Sequence, residues 1–140
     1  TNTVLASCQS ENMKKELVLR TLKAAHDRWL LPSGVIFHSD RGSQYTSAEV
    51  MAQVTAYGWN QSFSEVGKPG DNAWSESFFS ILKKEVLHWR FYPTREAARQ
   101  AIFEYIEVFY NRRRVQKRLG YLSPIQFLNA WDKRALPCSA

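Results

Sequence analysis

The spacing of apolar and polar residues predicts a chain in which strands alternate with helices. Val35-Ile36-Phe37 is an apolar run with a β-branched start, which predicts a buried strand over residues 35–39. Residues 59–64 alternate loosely and predict a short outer strand, and residues 3–6 are typical of the end of another. Apolar residues at helical intervals predict helices over residues 13–29, 47–57, 72–86, 94–111 and 123–131. This order is typical of an α/β protein built around a sheet.

Polar residues mark the expected helix starts. Their short side chains can accept hydrogen bonds from the free N–H groups of a first helical turn. The expected N-cap residues are Ser47, Thr94, Ser123 and, for the first helix, either Ser10 or Asn12. Asp71 or Asn72 can cap the helix that contains Glu76, and we assign Asp71 to that capping role rather than to metal binding. The loop before it, residues 66–70, is either a segment that orders on substrate binding or a plain surface connection.

Two carboxylates stand where the predicted elements can bring them together. Asp40 follows the strand over residues 35–39, and Glu76 opens a helix, with 35 residues between them. Ligands of open α/β sheets lie beyond the carboxyl ends of the strands, and carboxylate oxygens suit hard divalent cations beside a phosphate. Two simpler readings stay open. Asp40 could hydrogen-bond the backbone of its own turn, and the Glu76 helix could be an ordinary amphipathic surface helix.

The Glu76 helix has a polar face and an apolar face. Glu76, Ser80 and Lys83 fall within about 60° of one another on a helix of 3.6 residues per turn. The remaining surface is apolar and is expected to pack on a core. Its residues are Trp74, Phe78, Phe79, Ile81, Leu82 and Val86.

Positive charge is concentrated in one part of the chain. The 140 residues carry a net charge of +6, and residues 83–118, with ten Lys or Arg and four Glu, account for all of it. Such a segment attracts a polyanion, for which DNA is the obvious candidate, although a solvated charged face is the alternative. Five of these cations fall within seven residues and suit phosphate contact. They are Arg112, Arg113, Arg114, Lys117 and Arg118.

Composition excludes several classes of protein. Aromatic residues make up 14% of the chain, which argues against extensive disorder. No apolar run approaches the ~18–20 residues of a membrane span, and the first residues do not form a signal peptide. Cys8 and Cys138 lack metal-ligand spacing and are expected to be free thiols in a reducing cytoplasm.

Three segments in order carry a resemblance to a known family. They are His38-Ser39-Asp40-Arg41-Gly42-Ser43-Gln44-Tyr45-Thr46-Ser47, residues 71–85, and residues 110–124 from Tyr110-Asn111-Arg112-Arg113-Arg114 through Leu119-Gly120-Tyr121-Leu122-Ser123-Pro124. The chain resembles, from about Val4 to Trp131, the catalytic integrase core of bacterial insertion-sequence transposases. These belong to the retroviral-integrase superfamily, which has an Asp-Asp-Glu triad. The resemblance implies an α/β ribonuclease-H-like fold, three-layered with a mixed central sheet.

The resemblance also assigns roles to residues. It implies that Asp40 and Glu76 are the second and third triad carboxylates, holding two Mg²⁺ or Mn²⁺ ions in the intact site. Lys83, seven residues past Glu76, matches a basic residue that the family places against DNA. Lys84 is expected to contact DNA as well. Gln44 and Tyr45 could touch DNA or could simply fix their loop.

For the intact protein, the resemblance implies a polynucleotidyl transferase that cuts and joins the ends of a mobile element in bacterial cytoplasm, associated with the nucleoid. The expected partners are element-end DNA, target DNA and further copies of the chain. Three other functions stay open: a catalytically inactive DNA-binding or assembly module, a ribonuclease-H-type nuclease, and a structural domain without a nucleic-acid role.

The chain departs from the family pattern at two places. Only 39 residues precede Asp40, and Asp27 lies in a predicted helix, so the first triad aspartate is missing. We therefore expect residues 1–111 to be a partial core that lacks its first strand or strands, and the 140-residue fragment to be inactive alone. Residues 112–140 are expected to form a basic segment and a short helix packed on that core. Gln116 stands where the family usually has His, which leaves that position without an assigned role.

Overall fold

The computed structural model describes residues 1–67 and 69–135. Their contacts form two compact units. The first, here called the sheet unit, is Leu5–Lys83, and the second, the helical unit, joins Thr1–Val4 to the described residues from Lys84 onward. The domain boundary that the sequence suggests at residue 111 is a different division and stays a prediction. Within the described ranges, no helix is both long and apolar enough to cross a bilayer.

The sheet unit is built around two parallel strands. Its helices are α1 (Lys15–Arg28), α2 (Ala48–Ala56) and α3 (Ala73–Leu82), and a 3-10 turn over Pro69–Asn72 precedes α3. Strands β1 (Ile36–Ser39) and β2 (Asn60–Phe63) pair in parallel, with Ile36 opposite Asn60 and Ser39 opposite Phe63. Parallel strands need a crossover connection, which α2 provides. The carboxyl ends of both strands therefore lie at the same edge.

One apolar core holds the sheet unit together. Val18 and Leu22 of α1 pack with Val50 and Val54 of α2 and with Trp59, which precedes β2. Residues at helical intervals lie on one face, so the spacing that predicts the helices also predicts which side chains are buried. Each buried Val or Leu contributes about 1.5–3 kcal/mol of transfer free energy.

The strands differ from the sequence prediction in burial and number. Ile36 is 68% exposed, whereas Phe37 packs on the core, so the prediction of a wholly buried strand is wrong. Successive side chains of a strand point to opposite faces, and here only one face is covered by described residues. Residues 3–6 do not form the predicted strand. Val4 instead bonds through its N–H and C=O to the side-chain amide of Asn111, both at 2.9 Å.

The predicted N-caps are confirmed for three helices and wrong for α1. Ser47, Thr94 and Ser123 each accept a hydrogen bond from the backbone N–H three residues on, at 3.4, 3.1 and 3.3 Å. Helix α1 begins at Lys15, after Lys14, which makes no side-chain cap bond. Ser10 accepts from the N–H of Asn12 instead, because a local turn competes with capping.

The helical unit contains two π-helical turns. It comprises a π turn at Lys83–Leu87 that begins one residue before the unit, α4 (Arg95–Glu104), a second π turn (Tyr105–Tyr110), a 3-10 turn (Lys117–Leu119) and α5 (Pro124–Ala135). Its buried apolar residues include Val86, Ile106, Tyr110, Leu119 and Pro124. Gln116 accepts a hydrogen bond from the side chain of Asn2 at 2.8 Å. This position therefore has a structural contact.

Several residues predicted to pack on the core are exposed. On α3, Leu82 is buried, but Trp74 and Phe79 are 61% and 53% exposed. The helix predicted over residues 123–131, which is expected to pack on the core, ends at Trp131, and this side chain is 60% exposed. The apolar stripes of these helices are wider than the surfaces that other described residues cover, so helical spacing alone overstates their burial. Cys8 is a free thiol, and Cys138 lies outside the described residues.

Candidate metal centre and nucleic-acid surface

Asp40 and Glu76 line the same surface cavity of the sheet unit, with a volume of about 410 Å³. The structure therefore brings the two carboxylates to one place, although their metal-binding and catalytic roles stay predictions. The other residues that line the cavity are Arg41, Ser64, Glu65, Val66, Gly67 and Asn72.

Asp40 directly follows β1 and is held by its own turn. Its Oδ1 accepts a hydrogen bond from the N–H of Gly42 at 2.8 Å, so the simpler reading as a turn carboxylate is also satisfied. The Oδ2 atom makes no hydrogen bond to a described residue and is available to a ligand. A Cβ at Gly42 would lie 3.0 Å from Oδ1 and 2.6 Å from Nε2 of Gln44. Glycine thus permits this close turn.

The residues that follow β2 also line the cavity. Ser64 donates its backbone N–H to the carbonyl of Ser39 at 2.9 Å, which extends the parallel pairing past Phe63. Ser64 and Glu65 consequently lie beside Asp40. His38 reinforces this edge, since its two ring nitrogens lie 3.0 and 3.2 Å from the hydroxyls of Ser62 and Ser64.

The sequence pattern predicts no binding or catalytic role for Arg41, Ser64, Glu65 or Asn72, which also line this cavity. A signal for two of them was present, because the carboxyl ends of parallel strands meet at one edge and Ser64 and Glu65 follow a predicted strand. Arg41 is tied to the residues at the end of β2. Its Nε donates to the carbonyl of Ser64 at 3.1 Å, and its guanidinium lies 5.7 Å from the ring centroid of Phe63.

Asp71 does not cap α3, and that prediction is wrong. Its Oδ2 accepts a hydrogen bond from the backbone N–H of Glu65 at 3.0 Å, while Asn72 holds the N-cap position without a side-chain cap bond. Asp71 lies in the 3-10 turn before the helix, so its carboxylate faces the preceding loop. This bond joins the two ends of the loop. Whether the loop orders further on substrate binding stays a prediction.

Glu76 lies in the first turn of α3 and is exposed. The partial positive charge of a helix N-terminus stabilises a carboxylate at this place. Ser80 and Lys83 are exposed as well, as their common predicted face requires. The π turn begins at Lys83, so ideal helical spacing holds only through Leu82.

Tyr45 and Gln44 are only half-exposed. The Tyr45 ring packs against the core at its edge, with its centroid 6.3 Å from that of Phe37. Burial, and secondarily the charge of Asp40, raises the pKa of the Tyr45 hydroxyl, which therefore stays protonated at neutral pH. These contacts support a role in fixing the loop, and DNA contact by either residue stays a prediction.

Arg114 of the basic segment, residues 112–118, is engaged within the helical unit. Its Nη2 and Nε donate to the two carboxylate oxygens of Glu85 at 2.7 and 3.4 Å. The hydroxyl of Tyr105 donates to the same carboxylate at 2.7 Å. The other basic residues predicted to contact DNA are all exposed. They are Lys83, Lys84, Arg112, Arg113, Lys117 and Arg118.

The donor set of the cavity fits a hard divalent ion with few protein ligands. No group of three or more His, Cys, Asp or Glu that could hold a metal occurs within residues 1–67 and 69–135. Mg²⁺ keeps several waters and is commonly bound by one or two carboxylates. Asp40 and Glu76 match that pattern. They do not form a site in which protein ligands alone surround the ion.

Family models match most of the chain. Residues 1–69 and residues 76–130 match two models that are both described as "Integrase core domain". The transposase for insertion sequence element IS904 of Lactococcus lactis is 39% identical over 118 residues, which cover 84% of this chain and 47% of that protein. Transposase InsF of insertion sequence IS3A of Escherichia coli is 41% identical over 126 residues, 90% of this chain and 44% of that protein. The chain thus spans about half the length of these relatives.

Solved structures confirm the predicted fold class. The catalytic core domain of BIV integrase aligns with a TM-score of 0.64 and 15% identity, covering 91% of this chain and 79% of that one. A chain of a simian T-cell lymphotropic virus intasome, in complex with the PP2A regulatory subunit B56 gamma, also has a TM-score of 0.64. It is 17% identical and covers 84% of this chain and 41% of that one. The described residues therefore have the ribonuclease-H-like fold of integrase cores.

Proposed function

Since the chain belongs to the integrase core family of insertion-sequence transposases, we propose that it supplies part of a metal-dependent site for DNA strand transfer. The observation that carries this proposal is that Asp40 and Glu76 line one cavity beyond the carboxyl ends of two parallel strands. Ligands of open α/β sheets bind at this location.

The two carboxylates would hold the cation from different elements. Asp40 is restrained through Oδ1 by the N–H of Gly42, which leaves Oδ2 for a ligand. Glu76 is placed by the first turn of α3. A divalent ion, when bound, would activate the attacking oxygen of water or a 3′-hydroxyl and stabilise the leaving oxygen of the phosphodiester.

Exposed cations would bind the DNA backbone. Lys83 and Lys84 follow α3, and Arg112, Arg113 and Lys117 belong to the basic segment. Arginine and lysine neutralise phosphates, release condensed counterions and thereby contribute affinity that falls with salt. Arg114 is a weaker candidate because Glu85 already pairs with its guanidinium.

We further propose that the 140 residues alone do not cut or join DNA. Asp40, Glu65 and Glu76 all line the cavity, but the described residues contain no group of three or more His, Cys, Asp or Glu that could hold a metal. Two-metal catalysis needs groups that clamp both the attacking and the leaving oxygens. Incubation with element-end DNA and Mn²⁺ should leave the DNA intact. Cleavage or strand transfer by the purified chain would contradict this prediction.

Metal binding tests the proposal most directly. Free Mn²⁺ gives a sharp electron paramagnetic resonance spectrum that broadens on binding, so titration yields an affinity without any catalytic activity. We expect Asp40→Asn and Glu76→Gln each to weaken Mn²⁺ binding about tenfold or more, as loss of even an outer-shell partner costs 10- to 100-fold.

Glu16→Gln is the matched control, since it removes one exposed carboxylate of the same unit from α1, outside the cavity. It should leave Mn²⁺ affinity unchanged. Equal affinity in all four proteins would sink the metal-site proposal. DNA binding without any metal effect would then favour an inactive DNA-binding module.

A further inference from the structure

We propose that Arg41 is a phosphate-binding residue of this site, an inference that rests on the proposed function. Arg41 is the residue directly after Asp40 and lines the same cavity as Asp40 and Glu76. Among the described residues that line the cavity, Arg41 is the cationic one, and the other ionisable ones, Asp40, Glu65 and Glu76, are acidic. Acidic side chains alone would repel the negative charge of a phosphodiester that enters the cavity. A guanidinium can pair with that charge.

The anchoring of Arg41 leaves its terminal amino groups available. Nε donates to the carbonyl of Ser64 at 3.1 Å, and the guanidinium lies over the ring of Phe63. The Nη groups make no hydrogen bond to a described residue, and Arg41 forms no ion pair with a described carboxylate. Since Arg binds phosphate through paired N–H donors, the terminal groups are the ones that such contact uses.

The anchor also favours binding entropically. A long, free side chain loses rotamer freedom when it binds a ligand, which costs free energy. This cost is smaller when the side chain is already restrained before binding. Arg41 is restrained from two sides by the end of β2, at Phe63 and Ser64. The same end of β2 pairs with Ser39, immediately before Asp40. The cation and the carboxylate therefore lie at the same edge of the sheet.

If Arg41 binds phosphate, its replacement by a neutral residue should weaken DNA binding and strengthen Mn²⁺ binding. Arg41→Gln removes one phosphate contact, so the slope of log affinity against log salt should fall in magnitude by about 0.9. The same change removes a positive charge beside the carboxylates, so Mn²⁺ binding should tighten by about two- to fourfold. If Arg41 served only to hold its loop, loosening Asp40 would weaken Mn²⁺ binding instead.

The measurements use the 140-residue chain, a fluorescein-labelled 30-base-pair duplex followed by anisotropy across a NaCl series, and Mn²⁺ titration. Arg20→Gln is the matched control, because Nη2 of Arg20 also donates to a backbone carbonyl, that of Gln9, within the same unit but outside the cavity. It should leave both quantities unchanged. Arg41→Lys keeps the charge but lacks Nε–H and the planar fork, so we expect the wild-type slope with affinity about threefold weaker.

An unchanged salt slope in Arg41→Gln, or weaker Mn²⁺ binding, would overturn the inference while leaving the proposed function intact. Absence of both DNA and Mn²⁺ binding by the wild-type chain would overturn both. If Arg41→Gln does not fold, judged by its circular dichroism, Arg41→Lys decides: affinity equal to wild type would contradict a contact made through the fork.

Discussion

At the scale of single residues, Glu85 forms an ion pair with Arg114, a cation that the sequence pattern predicts to bind DNA. It accepts hydrogen bonds from both Arg114 and Tyr105. The hydrogen bond from Arg114 is the largest cause that lowers the pKa of Glu85. Burial first, and then the bond to Glu85, raises the pKa of Tyr105. We interpret the trio as a structural clamp.

This clamp should make stability depend on pH. Because the pKa of Glu85 is lowered in the folded chain, its contribution is complete above the ordinary value of 4.5 and is lost as pH falls through the lowered value. Glu85→Gln should reduce the free energy of unfolding by about 1 kcal/mol at pH 7, since the pair is partly exposed. The difference between variant and wild type should shrink below pH 4.5.

Urea denaturation at a series of pH values checks this. Glu96→Gln, which breaks the more exposed pair with Arg99 on α4, is the control and should cost less than about 0.5 kcal/mol. A deficit in Glu85→Gln that stays constant down to pH 3 would show that lost packing, rather than charge, causes the effect.

At the scale of elements, reciprocal capping begins α5. The hydroxyl of Ser123 accepts from the N–H of Gln126 at 3.3 Å, and the side-chain carbonyl of Gln126 accepts from the N–H of Ser123 at 2.9 Å. This is a capping box, which satisfies two backbone donors at once. Pro124 occupies the first helical position, where its missing N–H costs nothing.

Removal of this cap should destabilise the helical unit. We expect Ser123→Ala to lower the free energy of unfolding by about 1 kcal/mol, because a buried helix start loses its acceptor. The double variant with Gln126→Ala should cost less than the sum of the single variants, as the two bonds form one motif. Thermal unfolding followed by circular dichroism measures this.

Gln100→Ala serves as the control, since Gln100 is exposed on α4 and its side chain bonds to Glu104. It should change stability by less than about 0.5 kcal/mol. Strict additivity of Ser123→Ala and Gln126→Ala would argue against reciprocal capping.

The π turns are a second feature that appears at this scale. Apolar spacing predicts one continuous helix over residues 72–86 and another over 94–111, and in both the last part winds as a π turn. A π turn shifts the phase of the side chains that follow it. Glu85 and Tyr105 lie in these two turns and bond to each other.

At the scale of the whole molecule, the uneven distribution of charge predicts which cations contribute most to DNA binding. Changing Arg112, Arg113 and Lys117 together to Gln should lower the magnitude of the salt slope of DNA binding by about 2–3, since each phosphate contact contributes about 0.9. Changing Lys14, Arg20 and Lys23 to Gln removes the same net charge from residues outside the basic segment. Anisotropy titration across a NaCl series compares the two.

The control triple should leave the slope nearly unchanged. Equal losses in both triples would indicate that net charge alone governs binding and that the basic segment is a solvated face. Arg114→Gln alone should lower the free energy of unfolding but change the salt slope of DNA binding little, because Glu85 holds the guanidinium of Arg114.

Assembly with further copies of the chain stays a prediction, which light scattering after size-exclusion chromatography can check.

The sequence by itself determined the family, the fold class and most helix starts. Short-range patterns suffice for these, because helical spacing, β-branched runs and capping residues act over a few positions. The same patterns placed Asp40 after a strand and Glu76 at the start of a helix, and the structure places both there. Both line one cavity, next to the residues that follow β2.

Only the tertiary structure decided which polar side chains are already engaged. Asp71 bonds to Glu65 instead of capping α3, Asn111 bonds to Val4, and Glu85 holds Arg114. It also decided that Trp74 stays exposed. Burial and hydrogen bonding between residues distant in the chain depend on how elements pack, and local spacing contains no information about which surfaces meet.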